Sequence, residues 1–243
     1  MTDSSYKNKL MKLIADVHAE EQALWDLLSD EERNAAGKID RWAPKDHLAH
    51  ATFWTERFVT QLQAAVGGQP VKKIEDFQKT NEEVYEANKD RSWDDVLAWA
   101  TEVSLQFHTA LDATSEEILE DTTGPEGTGG RPLWQNVAFT GAFHPMLHLA
   151  DIYLERGDFT GAQSLQERVT EGMATLDKSD SWQGSTQYNL ACFYAVHEKP
   201  QQALAQLKIA FKRAPNLIEW SKQDDDLDSL RELPEFQAML VEN

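Results

Sequence analysis

Residues 42–54 read Trp42-Ala-Pro-Lys-Asp-His-Leu-Ala-His-Ala-Thr-Phe-Trp54. Proline suits the first turn of a helix, where its missing N–H costs nothing, and the acidic Asp46 just behind it favours the positive end of the helix dipole. From Pro44 the pattern stays helical to about Ala65, where Gly67-Gly68 closes it. His47 and His50 are three residues apart, so they share one helix face. His50, Trp54 and Phe58 continue as a stripe with Ala51.

The flanking segments repeat this grammar. Upstream, Leu10, Ile14, Val17, Leu24, Leu27 and Leu28 fall at helical spacing, and polar residues from Ser29 to Asp40 interrupt them. Downstream, a helix is predicted from near Lys73 through Phe77, Val84 and Tyr85, with a break around 88–92. Ser92-Trp-Asp-Asp95 has the form of a capping box, and the helix it opens runs to about Leu111. Residues 121–133 are rich in glycine and must form a loop. Leu133 to Arg156 reads as a fourth long helix, ended by Gly157. Four long helices with little strand signal predict an all-α protein, a four-helix bundle over residues 1–157.

Residues 158–243 have a different organisation. Gly157-Asp-Phe-Thr-Gly-Ala162 and Glu198-Lys-Pro-Gln-Gln-Ala203 both resemble the tight turn inside a tetratricopeptide repeat, followed by the small alanine where two helices touch. Around the second turn, Tyr188 to Tyr194 would be the first helix, Ala203 to Phe211 the second, and Ala214-Pro215 the exit. The turns stand 41 residues apart against the usual 34, so the tail resembles a degenerate repeat pair. The stretch 226–236 resembles the closing segment of such arrays, which need end caps.

The composition sets limits. The 243 residues allow one or two domains, and 41% hydrophobic content suffices for a core. A formal charge of −19 repels phosphate backbones, so direct nucleic-acid binding is not expected. The longest charge run, Asp224-Asp225-Asp226, reads as a solvated turn or helix start. The single cysteine, Cys192, excludes an internal disulfide framework and lies in an apolar run, as a buried structural thiol would. No signal peptide and no membrane span are visible, which makes the cytoplasm the expected location.

Two histidine pairs carry the chemistry: His47 with His50, and His144 with His148. Val137, Gly141, His144, His148 and Asp151 share a stripe on the fourth helix. If both stripes face the bundle axis, His50, His144 and His148 can converge, and bundle cores are where such metal sites are built. Three histidines with one open position suit a catalytic zinc or similar divalent ion, which lowers the pKa of a bound water. Asp46, Asp151 and Glu56 are candidate partners for fixing the imidazole tautomers. Pro145, directly behind His144, should free a carbonyl and bend the helix. The bland alternative is that each histidine is simply a hydrogen-bonded core or surface residue. Trp134, opening the fourth helix beside the glycine loop, is a candidate pocket wall. Asn81, Tyr85 and Asn88, at helical spacing, could line a polar pocket or make interhelical hydrogen bonds.

The stretch Trp42 to Trp54 resembles the second-helix signature of the DinB-like four-helix bundles, and His144-Pro-Met-Leu-His148 is similar to the paired histidines of their last helix. Asp76 to Asn88, followed by Ser92-Trp-Asp-Asp-Val, resembles the ClbS/DfsB branch, whose members include self-resistance proteins that inactivate a reactive DNA-damaging metabolite. The resemblance covers roughly residues 1–157. It implies a divalent metal ion (zinc, nickel or iron) on His50, His144 and His148, and an enzyme acting on a small electrophilic molecule by hydrolysis or thiol transfer. Members of the superfamily do not all keep or use the metal, so the resemblance is also compatible with a ClbS-like protein that acts without one. The competing expectation is a metal-independent binding or adaptor protein whose tail recruits a protein partner; a concave face rich in Asn or Lys would favour it, and Asn189 and Lys208 hint at one. A homodimer is compatible with either.

Overall fold

The computed structural model describes residues 5–67, 69, 74–122 and 130–241. They form helices and contain no β-strand; a lone backbone bridge between Lys38 and Arg41 tightens the turn that leads into Trp42. The chain divides into two compact units, residues 1–162 and 163–243.

In the first unit, α1 spans Tyr6–Leu27, and the Ser5 side chain accepts the Asn8 N–H at its start. A short α2, Asp30–Arg33, carries a reciprocal capping box between Ser29 and Glu32. α3 spans Pro44–Gly67 and α4 Phe77–Asn88. α4 starts later than the sequence suggests, because the Asp76 carboxylate accepts the Lys79 N–H and fixes the cap there; Lys73 itself lies outside the described residues, as does Gly68. α5, Trp93–Ala113, opens as expected: the Ser92 hydroxyl accepts the Asp95 N–H and donates to the Asp95 carboxylate. A short α6 spans Glu116–Glu120.

The fourth rod is the one that departs from a simple helix. It consists of α7, Leu133–Ala138, a π-helical turn over Phe139–Phe143, and α8, His144–Glu155. The His144 N–H reaches back to the Phe139 carbonyl, a five-residue step. Pro145 cannot donate to the preceding turn. The wide turn lies directly ahead of it, where a bend was expected, and such single π turns concentrate at functional sites. Most of the predicted glycine-rich loop, residues 123–129, lies outside the described residues; the Leu133 N–H bonds the Asp121 carbonyl across its ends.

α1, α3, α5 and the α7–α8 rod pack together around Leu10, Leu24, Leu62, Leu111, Met146, Leu149 and Ile152, all essentially without solvent exposure. Burying each such side chain contributes roughly 1.5–3 kcal/mol. Leu27, expected on the buried stripe, is 58% exposed. The helix ends there, and Trp25 turns inward instead to meet the edge of Trp93 at 5.3 Å.

α9 runs Phe159–Leu176. The second unit holds α10, Asp180–Val196, α11, Pro200–Arg213, α12, Leu217–Ser221, a 3-10 turn at Asp225–Leu230, and α13, Pro234–Met239. α10 and α11 form a tight antiparallel hairpin. A Cβ on Gly184 would stand 2.5 Å from the Ala214 Cβ, so only glycine allows the approach. Asp224 starts the 3-10 turn as its cap, and its carboxylate also accepts from Tyr188 Oη (2.7 Å) and Trp220 Nε1 (3.0 Å). The acidic run is thus a helix start with one carboxylate tied down. Cys192 is buried beside it, and burial pushes its thiol up, the state of an inert structural cysteine.

Candidate metal centre

α3 and α8 carry the histidine pairs, and packing turns the two faces toward each other. His50 Nε2 lies 3.2 Å from His144 Nε2, and His148 Nε2 lies 3.1 Å from the same atom. A neutral ring nitrogen either donates one proton or offers one lone pair. His144 Nε2 can therefore pair properly with one of these neighbours and must face the other unpaired. His50 Nδ1 is also buried and finds no hydrogen-bond partner among the described residues. Unmet buried groups of this kind cost about 1–3 kcal/mol each. A cation accepting all three Nε2 lone pairs removes the first conflict, so the donor set fits a divalent ion of the zinc, nickel or iron type.

The electrostatics agree. Burial, followed by the charges of His144 and His47, holds His50 down to about 3; burial holds His47 and His144 to about 4, and His148 well below its usual value. All four rings are neutral at physiological pH, the form in which imidazole ligates metals.

His47, left out of the expected ligand set, is in the cluster. Its Nδ1 stands 3.1 Å from His148 Nδ1, and the Asp151 carboxylate lies 3.9 Å and 3.8 Å from the same two nitrogens. The signal for it was its three-residue spacing from His50. Trp42 roofs the group, with its ring 4.7 Å from His50, 5.4 Å from His47 and 5.9 Å from His148.

Other expected site residues serve different ends. The Asp46 carboxylate turns back on its own helix instead: it accepts the Ala43 N–H at 2.9 Å and caps the helix start. Glu56 accepts from Trp99 Nε1. Asn81 accepts the Trp54 indole N–H at 3.1 Å, Tyr85 Oη donates to the Gly37 carbonyl at 2.9 Å, and Asn88 bonds Val84 and Arg91. These three make interelement and local bonds. Trp134 is buried and stacks on Tyr6 at 4.7 Å, a core role. Trp54 does border the cluster, 6.2 Å from His50, and stacks on Phe77 at 5.5 Å. On the other flank Phe139, from the π turn, stacks on His144 at 6.0 Å. Phe77 and Phe139 are 62% and 49% exposed, so an aromatic rim borders the histidines.

A separate cleft of about 60 Å³ opens between α1, α3, α5 and the π turn, lined by His18, Glu21, Thr52, Ser104 and Phe107 among others. None of the four clustered histidines lines it.

A largely buried histidine group built from the second and fourth rods of a helical bundle defines a class of metal-binding fold. The family model for the DinB superfamily matches residues 14–152, more than half of the chain, and the protein belongs to that superfamily, whose members commonly bind metal. Comparison with curated proteins and with solved structures gave no match. No described helix is long and apolar enough to cross a membrane.

Proposed function

We propose that the bundle is a divalent-metal enzyme acting on a small electrophilic molecule, by hydrolysis or thiol transfer, with His50, His144 and His148 as the metal ligands. The observation that carries this reading is the convergence of three Nε2 atoms that cannot satisfy one another. A divalent ion held there supplies Lewis acidity toward the polar group of the substrate. The chain does the rest. With an ion on its Nε2, His148 would carry its proton on Nδ1 and donate it to His47 Nδ1, 3.1 Å away, which would hold that tautomer. Trp42 covers one side of His47, His50 and His148. Trp54, Phe77 and Phe139 offer flat apolar surface for the body of the ligand. The ClbS/DfsB-like reading narrows this to detoxification of a reactive metabolite, and an apolar rim beside an electrophile-activating centre supports it.

The test is elemental analysis of tag-free protein beside His50→Ala and His148→Ala, with circular dichroism as the folding control. Near-stoichiometric zinc, nickel or iron, lost in both folded variants, is the expected result. A folded wild type that neither holds nor takes up a divalent ion overturns it.

A second reading concerns the tail. The turns at Gly157 and Glu198 share one backbone form. Both residues have positive φ, +76° and +58°. The Asp158 N–H bonds the Tyr153 carbonyl and the Lys199 N–H bonds the Tyr194 carbonyl, each five residues back. That equivalence supports the tetratricopeptide-like reading and, with it, recruitment of a protein partner by residues 158–243. Pull-down with the tail's Asn189→Ala and Lys208→Ala variants, against the wild-type chain, tests it: equal capture of the same partner by all three removes the assigned surface.

A further inference from the structure

We infer that the histidine cluster is built for two cations, with the His148 ring as the bridge between them. This rests on the three-histidine site above and adds a second: His47 Nδ1, His148 Nδ1 and an Asp151 carboxylate oxygen.

The geometry comes from the two nitrogens of one ring. His148 Nε2 faces His144 Nε2 at 3.1 Å and belongs to the group with His50. Its Nδ1, on the other side of the ring, faces His47 Nδ1 at 3.1 Å and the Asp151 carboxylate at 3.8 Å. The third edge, His47 Nδ1 to Asp151, is 3.9 Å. Zinc bonds to histidine nitrogen and carboxylate oxygen run about 2.0–2.2 Å, so donors on one tetrahedral ion stand about 3.3–3.6 Å apart. A triangle with edges of 3.1, 3.8 and 3.9 Å closes on such an ion with shifts of a few tenths of an ångström.

The carboxylate strengthens the case. The half-exposed Asp151 carboxylate stands 3.8 and 3.9 Å from the two nitrogens, outside hydrogen-bond reach of both. A hydrogen-bonding carboxylate would approach to about 2.7–2.9 Å. The gap is one that a small cation fills. Two nitrogens and one carboxylate suit zinc or a similar borderline ion, where calcium or magnesium would call for an all-oxygen set.

With a first ion on Nε2, the His148 Nδ1 proton would point toward His47. A second ion would take that proton's place, the proton leaving to solvent, so that the His148 ring would serve both sites as imidazolate, and His47 would ligate through the lone pair that had accepted the hydrogen bond.

The experiment is a zinc titration of the tag-free full chain by equilibrium dialysis with elemental analysis, alongside His47→Ala, Asp151→Asn and His50→Ala, each checked for folding by circular dichroism. The expected result is two equivalents in the wild type, one in folded His47→Ala, and a second equivalent weakened at least tenfold in Asp151→Asn. A single equivalent that His47→Ala keeps and His50→Ala loses overturns the second site and leaves the first standing. Two equivalents undiminished in His47→Ala place the extra ion elsewhere and also overturn it. No zinc in the folded wild type overturns both sites. If His47→Ala does not fold, His47→Gln, which keeps polarity and bulk, replaces it with the same expected count.

Discussion

His50 and His144 are 94 residues apart in the chain, and their Nε2 atoms are 3.2 Å apart in space. Two lone pairs so placed repel unless a proton or a cation lies between them. Zinc at about a hundredfold above its dissociation constant should therefore stabilise the bundle by about 2.7 kcal/mol and raise its thermal midpoint by about 5–10 °C. Differential scanning calorimetry with and without zinc measures this, and His144→Ala should abolish the shift. An equal shift in that variant would place the stabilising ion elsewhere.

Gly141 sits in the π turn, where an added Cβ would stand 2.5 Å from Phe107 Cε1 and 3.0 Å from Ile14 Cδ1. Gly141→Ala should cost about 1–3 kcal/mol by overpacking. Combining it with Phe107→Leu should recover part of the loss, because the ring is the nearest obstacle. Denaturant unfolding of the two single variants and the double reads the coupling directly; strict additivity would show that the ring is not what blocks the methyl.

The turns at Gly157 and Glu198 make a matched pair of tests. Both residues hold positive φ, a region that costs an L-residue with a Cβ about 1–2 kcal/mol. Gly157→Ala should destabilise by that amount, and Glu198→Gly should stabilise by up to about 1 kcal/mol once glycine's own entropy is counted. Thermal melts decide, and a destabilised Glu198→Gly would mean its side chain holds the turn.

His18 Nδ1 lies 2.7 Å from the Glu21 carboxylate, which raises its pKa by hydrogen bond and charge against the opposing effect of burial. A raised folded pKa gives stability that is full below the unfolded value near 6.5 and is lost as pH rises through the folded value. The pair is partly exposed, so the contribution is at most about 1 kcal/mol. The stability gap between wild type and His18→Gln should be largest below the unfolded value and shrink as pH rises through the raised folded value. The comparison cancels the deeply buried histidines, which act in the opposite sense. A gap that is flat with pH would rule the ion pair out as its source.

Much of the fold was legible because helices announce themselves locally. Proline at 44, serine at 92 and glycine at 157 punctuate the chain by their own backbone chemistry, and the observed starts and stops at those points follow. Leu27 and the start of α4 were read less well. A neighbouring side chain, Trp25, took the buried place of one, and the Asp76 cap set the other. At the site, the three expected histidines come together, while Asp46, Asn81, Tyr85 and Trp134 are spent on a cap, an interhelical bond, a helix-to-loop bond and core stacking. Nothing in their spacing separates a carboxylate that caps its own helix from one that orients a neighbouring ring.

The sequence by itself determined that His47 and His50 share one face of their helix and that His144 and His148 share one of theirs, because 3.6 residues per turn fixes side-chain directions about a single axis. Only the tertiary structure decided that these faces meet, that His47 joins them, and that His148 presents one nitrogen to each side. The rotation and height of one helix against another are set by the packing of residues far apart in the chain, such as Leu62, Met146 and Ile152, and no local period encodes them.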